Sequence, residues 1–368
     1  MLGLASVIFV AFALFSPKTG AFFIQTNAAP LASSSQLSGE QLAAVKAKAD
    51  TGDATAQVEL GEAYEDGKGV RQDERFAAVL YRKAADQGNA TAQNHLGLMY
   101  LAGRGVERNK ADAVKWFTQA AKQKHPKAMF NLGAAYFNGD GVAIDDSAAL
   151  AWFSLAQEAG SDVANDAVQR FATSKAYVME DAWVKIGDMY LEGSELSKNP
   201  SEAIKWYRKA AGLGSPEVQV KLAGLLTERQ GDARPGEALD LCTKAAKQNY
   251  APGAFCVGLI LQRGLGVSPN PSEAAKWFQA AADRGHASAM LFLGEMYWKG
   301  SGVKIDKGLA YRYIYIASTA NLLIAQQDEA QLEKEMSPKE VEKARKKAVA
   351  WAREHQPVTL RKRAVAVK

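Results

Sequence analysis

Apolar and small residues recur along this chain with a fixed long period. Leu60-Gly61-x-x-Tyr64-x-x-Gly67-x-Gly69-Val70 returns 36 residues later as Leu96-Gly97-x-x-Tyr100-x-x-Gly103-x-Gly105-Val106. It returns again as Leu132-Gly133-x-x-Tyr136-x-x-Gly139-x-Gly141-Val142. Weaker copies start at Ile186, Leu222, Val257 and Leu293. Within a copy, Leu60 and Tyr64 stand at i and i+4 and share a helical face, while Gly61 admits a neighbouring helix closely. A second segment follows each copy: Tyr81 with Ala84-Ala85, Trp116-Phe117 with Ala120-Ala121, Trp152-Phe153 with Ala156, Trp206-Tyr207 with Ala210-Ala211, and Trp277-Phe278 with Ala281-Ala282. Large against small on facing helices is how antiparallel helices interdigitate, with Trp116 expected as the large residue of its helix. Gly-x-Gly-Val ends each first helix, and Asp73, Asn109 or Asp145 near the next start supplies an N-cap.

One such helix pair cannot bury both its faces, so the pattern predicts a stack of about seven pairs sharing a continuous core. Stacks need closed ends. Ser38-x-x-Gln41 reads as a capping box opening a helix through Ala49, and Ser337-Pro338-Lys339-Glu340 as another opening a final helix over 337–353. Two departures stand out. The third and fourth copies are 54 residues apart, which predicts one extra helix near 161–175. The fifth copy carries Ala223 for the glycine and Leu226 for the tyrosine, and its loop from Glu228 to Gly236 lacks Gly-x-Gly-Val.

These motifs resemble the Sel1-like repeat, a relative of the tetratricopeptide repeat, over roughly residues 37–353. The resemblance implies an all-α, right-handed α-solenoid of helix-turn-helix repeats with helical caps. It also implies protein–protein scaffolding or regulation, including envelope assembly and signal transduction, without catalysis or a cofactor.

Composition refines this picture at the two ends. The net charge of +5 is uneven: residues 339–368 hold ten Lys or Arg against three Glu, so the remainder is slightly acidic. The array is therefore not expected to bind nucleic acid. Residues 2–15 form an apolar run too short to span a bilayer comfortably, and residues 1–36 read as a secretory signal with its linker. Cleavage after Ala21 or Ala28 fits the small residues there. No basic residue precedes the run, which leaves open an uncleaved membrane anchor. Either way a periplasmic or exported location is expected. The basic tail, 354–368, reads as a solvated end, with contact to anionic lipid, the cell wall or an acidic partner as the alternative.

A search for chemistry finds none that the repeat does not explain. Gly67-Lys68-Gly69 follows no strand and precedes no Gly-Lys-Ser/Thr, so it ends a helix and does not cradle a phosphate. His95, His125, His286 and His355 make no metal-ligand spacing. No nucleophile is paired with a base, so neither a catalytic nor a metal site is expected. A surface stripe is more informative. The residue after each first-helix tyrosine is Glu65, Leu101, Phe137, Leu191, Thr227, Gln262 or Trp298. In related arrays the first helices line the concave face, so Leu101, Phe137, Leu191 and Trp298 are candidate contacts for a protein partner. The alternative for these four is packing against adjacent loops. Peptidoglycan or polysaccharide binding on the concave face is a second functional reading, with Trp298 its one visible aromatic. Cys242 and Cys256 fall on adjacent helices that some secreted Sel1-like proteins bridge about one turn nearer the loop. The resemblance thus implies a disulfide, against two small buried thiols as the other reading.

Overall fold

A computed structural model describes residues 38–227 and 234–355. Residues 2–15, the basic tail beyond 355 and most of the fifth repeat's loop lie outside them. Among the described residues there are 18 α-helices and no strand. They fall into two compact units divided between Asn199 and Pro200.

In the first unit α1 (Gly39–Asp50) precedes three complete pairs: α2 (Ala54–Asp66) with α3 (Glu74–Asp86), α4 (Ala90–Ala102) with α5 (Lys110–Lys122), and α6 (Pro126–Asn138) with α7 (Asp146–Glu158). Then come α8 (Asp162–Ser174), a 3₁₀ turn at Ala176–Val178, and α9 (Met179–Glu192). Each helix from α1 to α7 packs on the next, and α9 packs on α7. The expected extra helix is therefore α8. Its start keeps the register of α2, α4 and α6, so it fills the first-helix slot of a repeat that has no second helix.

In the second unit α10 (Pro200–Ala211) is followed by α11 (Pro216–Thr227) with α12 (Pro235–Lys247), α13 (Ala251–Arg263) with α14 (Pro271–Asp283), and α15 (Ala287–Lys299) with α16 (Lys307–Ser318). Two helices, α17 (Leu323–Lys334) and α18 (Pro338–His355), both pack on α16 and close the unit. The repeat pattern does not predict α17, which carries no Leu-Gly-Tyr signature and buries only Ala325 and Leu332.

Helix ends follow the expected capping chemistry. The Asp73, Asn109 and Asp145 side chains accept from the N–H three residues on, at 3.0, 3.1 and 2.8 Å. Ser38 and Gln41 exchange both bonds of the capping box, at 2.9 and 3.2 Å. At the far end Ser337 Oγ accepts from Glu340 N–H at 3.3 Å while the Ser337 N–H donates to the Glu340 carboxylate at 2.8 Å. The second glycine of the loop has a packing role as well at Gly105, Gly141 and Gly302. A Cβ on Gly105, at φ +65°, would lie 2.1 Å from the Glu74 carbonyl oxygen, so that loop lies directly on the start of the preceding repeat's second helix.

The core differs in one respect from the expectation at Trp116. The ring fully buried in α5 is the next residue, Phe117, and a Cβ on Gly97 would meet it at 2.6 Å. The glycine is thus a notch for a ring. Trp116 is half-buried, with the Arg82 guanidinium 4.8 Å from its ring centroid. Trp152 and Trp206, at the equivalent position, are fully buried.

A ladder of glutamines links the two helices of a repeat and reaches back to backbone carbonyls of the one before. Gln87 Nε2 donates to Gln57 Oε1 at 2.9 Å, and Gln57 Nε2 to the Ala49 carbonyl at 3.3 Å. One repeat on, Gln123 Nε2 donates to Gln93 Oε1 at 2.9 Å. In the second unit Gln248 donates to Gln219 at 3.3 Å. The buried amides of Gln57 and Gln93 thereby both accept and donate, Gln93 to the Ala85 carbonyl at 3.2 Å.

Candidate interaction surface

The slot after the first-helix tyrosine receives whatever element is stacked next. At Glu65 that element is α4 and its loop. The Glu65 carboxylate is held by Tyr81 Oη at 2.7 Å, by Arg104 at 2.8 Å and by His95 Nδ1 at 3.3 Å. His95 Nε2 reaches Glu62 at 3.2 Å, and its ring stacks on Tyr81 with centroids 4.5 Å apart. Burial alone would raise Glu65, but hydrogen bonds from His95 and Tyr81 and the charges of His95 and Arg104 hold it down at about 2. Burial pulls the His95 ring the other way, and its bonds to Glu62 and Glu65 overcome that and raise its pKa. Burial, with the Glu65 charge beside it, pushes the Tyr81 hydroxyl well above its ordinary range. These five side chains satisfy one another.

At Phe137 the next element is α8. The Phe137 ring meets Phe171 edge-on at 5.6 Å, and the Lys175 ammonium lies 5.0 Å from its centroid. Lys175 in turn pairs with Asp146 at 2.7 Å. At Trp298 the next element is the end of α17: the indole N–H donates to Glu335 at 3.1 Å, and Glu335 also pairs with Lys307 at 3.2 Å. Both aromatic candidates are therefore half-buried against their own chain. Leu101 and Leu191 occupy the same slot on α4 and α9 and are likewise half-buried, and Arg108 Nε donates to the Leu101 carbonyl at 3.0 Å. Of the four candidates, three lie in the first unit and Trp298 in the second.

A second repeated slot, two residues before the first-helix glycine, reaches back to the preceding repeat. It holds His95 before Gly97, Asn131 before Gly133 and Cys256 before Gly258. Asn131 Nδ2 donates to Asn94 Oδ1 at 3.0 Å. Cys256 is disulfide-bonded to Cys242, with Cα atoms 5.7 Å apart. Cys242 is fully buried at the position that Phe278 fills in the next repeat. One turn along both helices, a Cβ on Gly253 would lie 2.6 Å from the Ala246 amide nitrogen. Other repeats carry Ala56, Ala92, Ala128 and Ala289 at that place, so Gly253 is what lets α13 approach α12 at the cross-link.

Two of the remaining histidines are helix caps. His125 and His286 accept through Nδ1 from the Ala128 and Ala289 N–H groups, both at 3.2 Å. Burial, with Lys127 and His95 nearby, pulls His125 down to about 4, so the ring is a neutral acceptor at ordinary pH. A depression of about 530 Å³ lies at the starts of α4, α6 and α8, lined by Glu62, Thr91, His125, Lys127 and Ser161 among others. Among the described residues no group of three His, Cys, Asp or Glu is placed to hold a metal ion, and no helix is long and apolar enough to cross a membrane.

The His95 cluster escapes a reading of the sequence by ligand spacing, because its carboxylates come from the preceding repeat. A comparison of equivalent slots would have exposed it, since that slot holds Glu59, His95, Asn131, Lys185, Lys221 and Cys256, polar or reactive residues beside the core.

Comparison with known proteins agrees with the repeat. The Sel1 repeat family matches residues 54–89, 90–125, 126–161, 184–215, 217–250, 252–286 and 287–322. The chain is 32% identical over 129 residues to chitin synthase regulatory factor 3 of Schizosaccharomyces pombe, covering 34% of this chain and 14% of that protein. It spans between 14% and 20% of the length of the curated relatives it matches. Among solved structures, a Sel1 repeat protein from Oxalobacter formigenes is 27% identical, with 80% of each chain covered and a TM-score of 0.38. A protective antigen of uropathogenic Escherichia coli strains displaying an SLR fold is 24% identical, with 89% of this chain and 97% of that one covered and a TM-score of 0.32. Seven matched repeats account for most of the chain, which belongs to the Sel1 repeat family.

Proposed function

We propose that this chain is an exported, non-catalytic adaptor of the bacterial cell envelope that binds a protein partner through the first-helix side of its repeats. Sel1 repeats are in general protein-interaction scaffolds, and the remaining steps are specific to this molecule. The observation that carries the reading is the contrast within the tyrosine-adjacent slot. Glu65, Phe137 and Trp298 bond to or stack on groups of their own chain, whereas Leu101 and Leu191, half-buried like the two rings, turn part of an apolar side chain to solvent. The most strongly coupled acid–base cluster, around His95, spends its hydrogen bonds internally, which favours a structural role over catalysis. The Cys242–Cys256 bond supports an oxidising compartment, since disulfides persist there and are reduced in a cytosol. The glycan reading is weakened at its one aromatic, because the Trp298 indole N–H already donates to Glu335.

The test is crosslinking of the tagged chain in intact cells, with fractionation and identification of what is captured. A specific envelope protein captured by the wild type and lost with Leu101→Asp or Leu191→Asp, at unchanged melting temperature, is the expected result. Capture that survives both substitutions, or recovery from the cytosol alone, would defeat it.

A further inference from the structure

The closing helix α18 has two chemically distinct faces. Ala344, Ala348 and Ala352 are buried, with Val341 and Trp351 packed beside them. Arg345 is held on the same side, donating to Glu333 at 2.8 Å and to Tyr311 Oη at 3.1 Å. The outer side carries Lys339, Lys343, Lys346, Lys347 and Arg353, all exposed. At 3.6 residues per turn these five fall within about a third of the helix circumference and extend over roughly 21 Å. One acid, Glu354, stands among them at the end of the helix, and the other two do little to neutralise them. Glu340 is taken by the Ser337 cap, and Glu342 pairs only with Lys346, at 2.7 Å.

We propose that this exposed basic face of α18 binds the anionic surface of a lipid bilayer. The side chains distinguish that partner from a shaped one. Four of the five cations are lysines, hydrated point charges on flexible stems that suit a surface of spread negative charge. Arginine is the residue of bidentate recognition, and only Arg353 is present. The outer face has no aromatic or large apolar residue to act as an anchor in a protein interface; its one apolar member among the cations is Ala350. A flat bilayer accepts a straight row of charges along its full length without further fit, and polybasic segments gain affinity for anionic headgroups with each added cation. The sequence continues with the same sign at Arg361, Lys362, Arg363 and Lys368.

The experiment is sedimentation of the full-length chain with vesicles of phosphatidylcholine alone or with about a third phosphatidylglycerol, at low and high salt. The apolar run at residues 2–15 would act on both vesicle types, so the quantity read is the advantage of the anionic ones. An advantage of about tenfold or more is expected, lost at high salt as the charges are screened. The variant with Lys339, Lys343, Lys347 and Arg353 all changed to Gln should lose most of that advantage while melting as the wild type does. Equal binding to both vesicle types, or a variant that keeps the full advantage, overturns the proposal. Preferential binding of duplex DNA over anionic vesicles overturns it in favour of a nucleic-acid surface.

Discussion

In the first three repeats a ring from the second helix, Tyr81, Phe117 or Phe153, sits in a notch left by the first-helix glycine, Gly61, Gly97 or Gly133. In the fifth repeat Ala223 stands where the glycine would be and Cys242 where the ring would be, both fully buried. The two substitutions match: a methyl group is added where a ring has been removed. What the smaller pair lacks in apolar contact, the fifth repeat replaces by a bond to its neighbour, through Cys242 and Cys256 on α12 and α13. Packing holds one region and a covalent link reinforces the other, within a single repeat architecture.

The largest effect should come from emptying a notch. Phe117→Ala removes a fully buried ring beside Gly97 and is expected to destabilise by about 3–5 kcal/mol. Denaturant unfolding checks it. Trp116→Ala is the control on the same helix, because its ring is only half-buried, and it should cost clearly less. Equal losses for the two variants would mean that the notch is not the organising contact.

The next effect belongs to the fifth repeat. Replacing both Cys242 and Cys256 by Ser should cost about 3 kcal/mol, the value expected from loop closure over a separation of 14 residues. Hydrogen exchange should show the loss concentrated in α12 and α13, with α2 to α7 unchanged, and a reductant should reproduce it in the wild type. A uniform loss across the chain would erase the contrast between the regions.

A smaller effect sharpens the geometry. Gly253→Ala adds a Cβ 2.6 Å from the Ala246 backbone and should cost about 1–3 kcal/mol, although alanine is the better helix former and the other repeats carry it there. In the chain lacking both cysteines the same substitution should cost less, because α12 and α13 are free to separate. The cycle of these variants therefore measures how tightly glycine and cross-link depend on one another.

Much of this was legible in the sequence for a physical reason. Helix ends, notches and caps are local or 36 residues apart, so they recur as a visible period, and α8 showed itself as an interruption of that period. The glutamine ladder was equally periodic, with Gln57 and Gln93 in one slot and Gln87 and Gln123 in another, but amides mark no helix face and carry no weight in a hydrophobic pattern. Helix α17 was hidden because its support comes from α16, and a helix held by tertiary packing need not advertise itself locally. The fate of Phe137 and Trp298 was hidden for a related reason. Both rings are covered by elements outside their own repeat, Phe171 on α8 and Glu335 beyond α17.

The slot that holds Cys256 offers a last comparison, because in the second repeat it holds His95. There the link to the preceding repeat is ionic, between the ring and the carboxylates of Glu62 and Glu65, with Tyr81 stacked beneath and Arg104 on the far oxygen of Glu65. The pKa of His95 is raised on folding, so its contribution is complete below the unfolded value near about 6.5 and is lost as pH rises through the folded one. Glu65 is depressed to about 2, so its contribution is present above its unfolded value and is lost only as pH falls toward 2. The cluster is therefore strongest in mildly acidic solution. The wild-type chain should lose stability relative to His95→Gln as pH rises above about 6.5, as the imidazolium deprotonates and can no longer donate to both carboxylates. Unfolding midpoints for the two proteins across that range check it. A constant difference would mean that the ring contributes by stacking on Tyr81 alone. The disulfide in the equivalent slot should show no such dependence, since neither of its sulfurs titrates while the bond is intact.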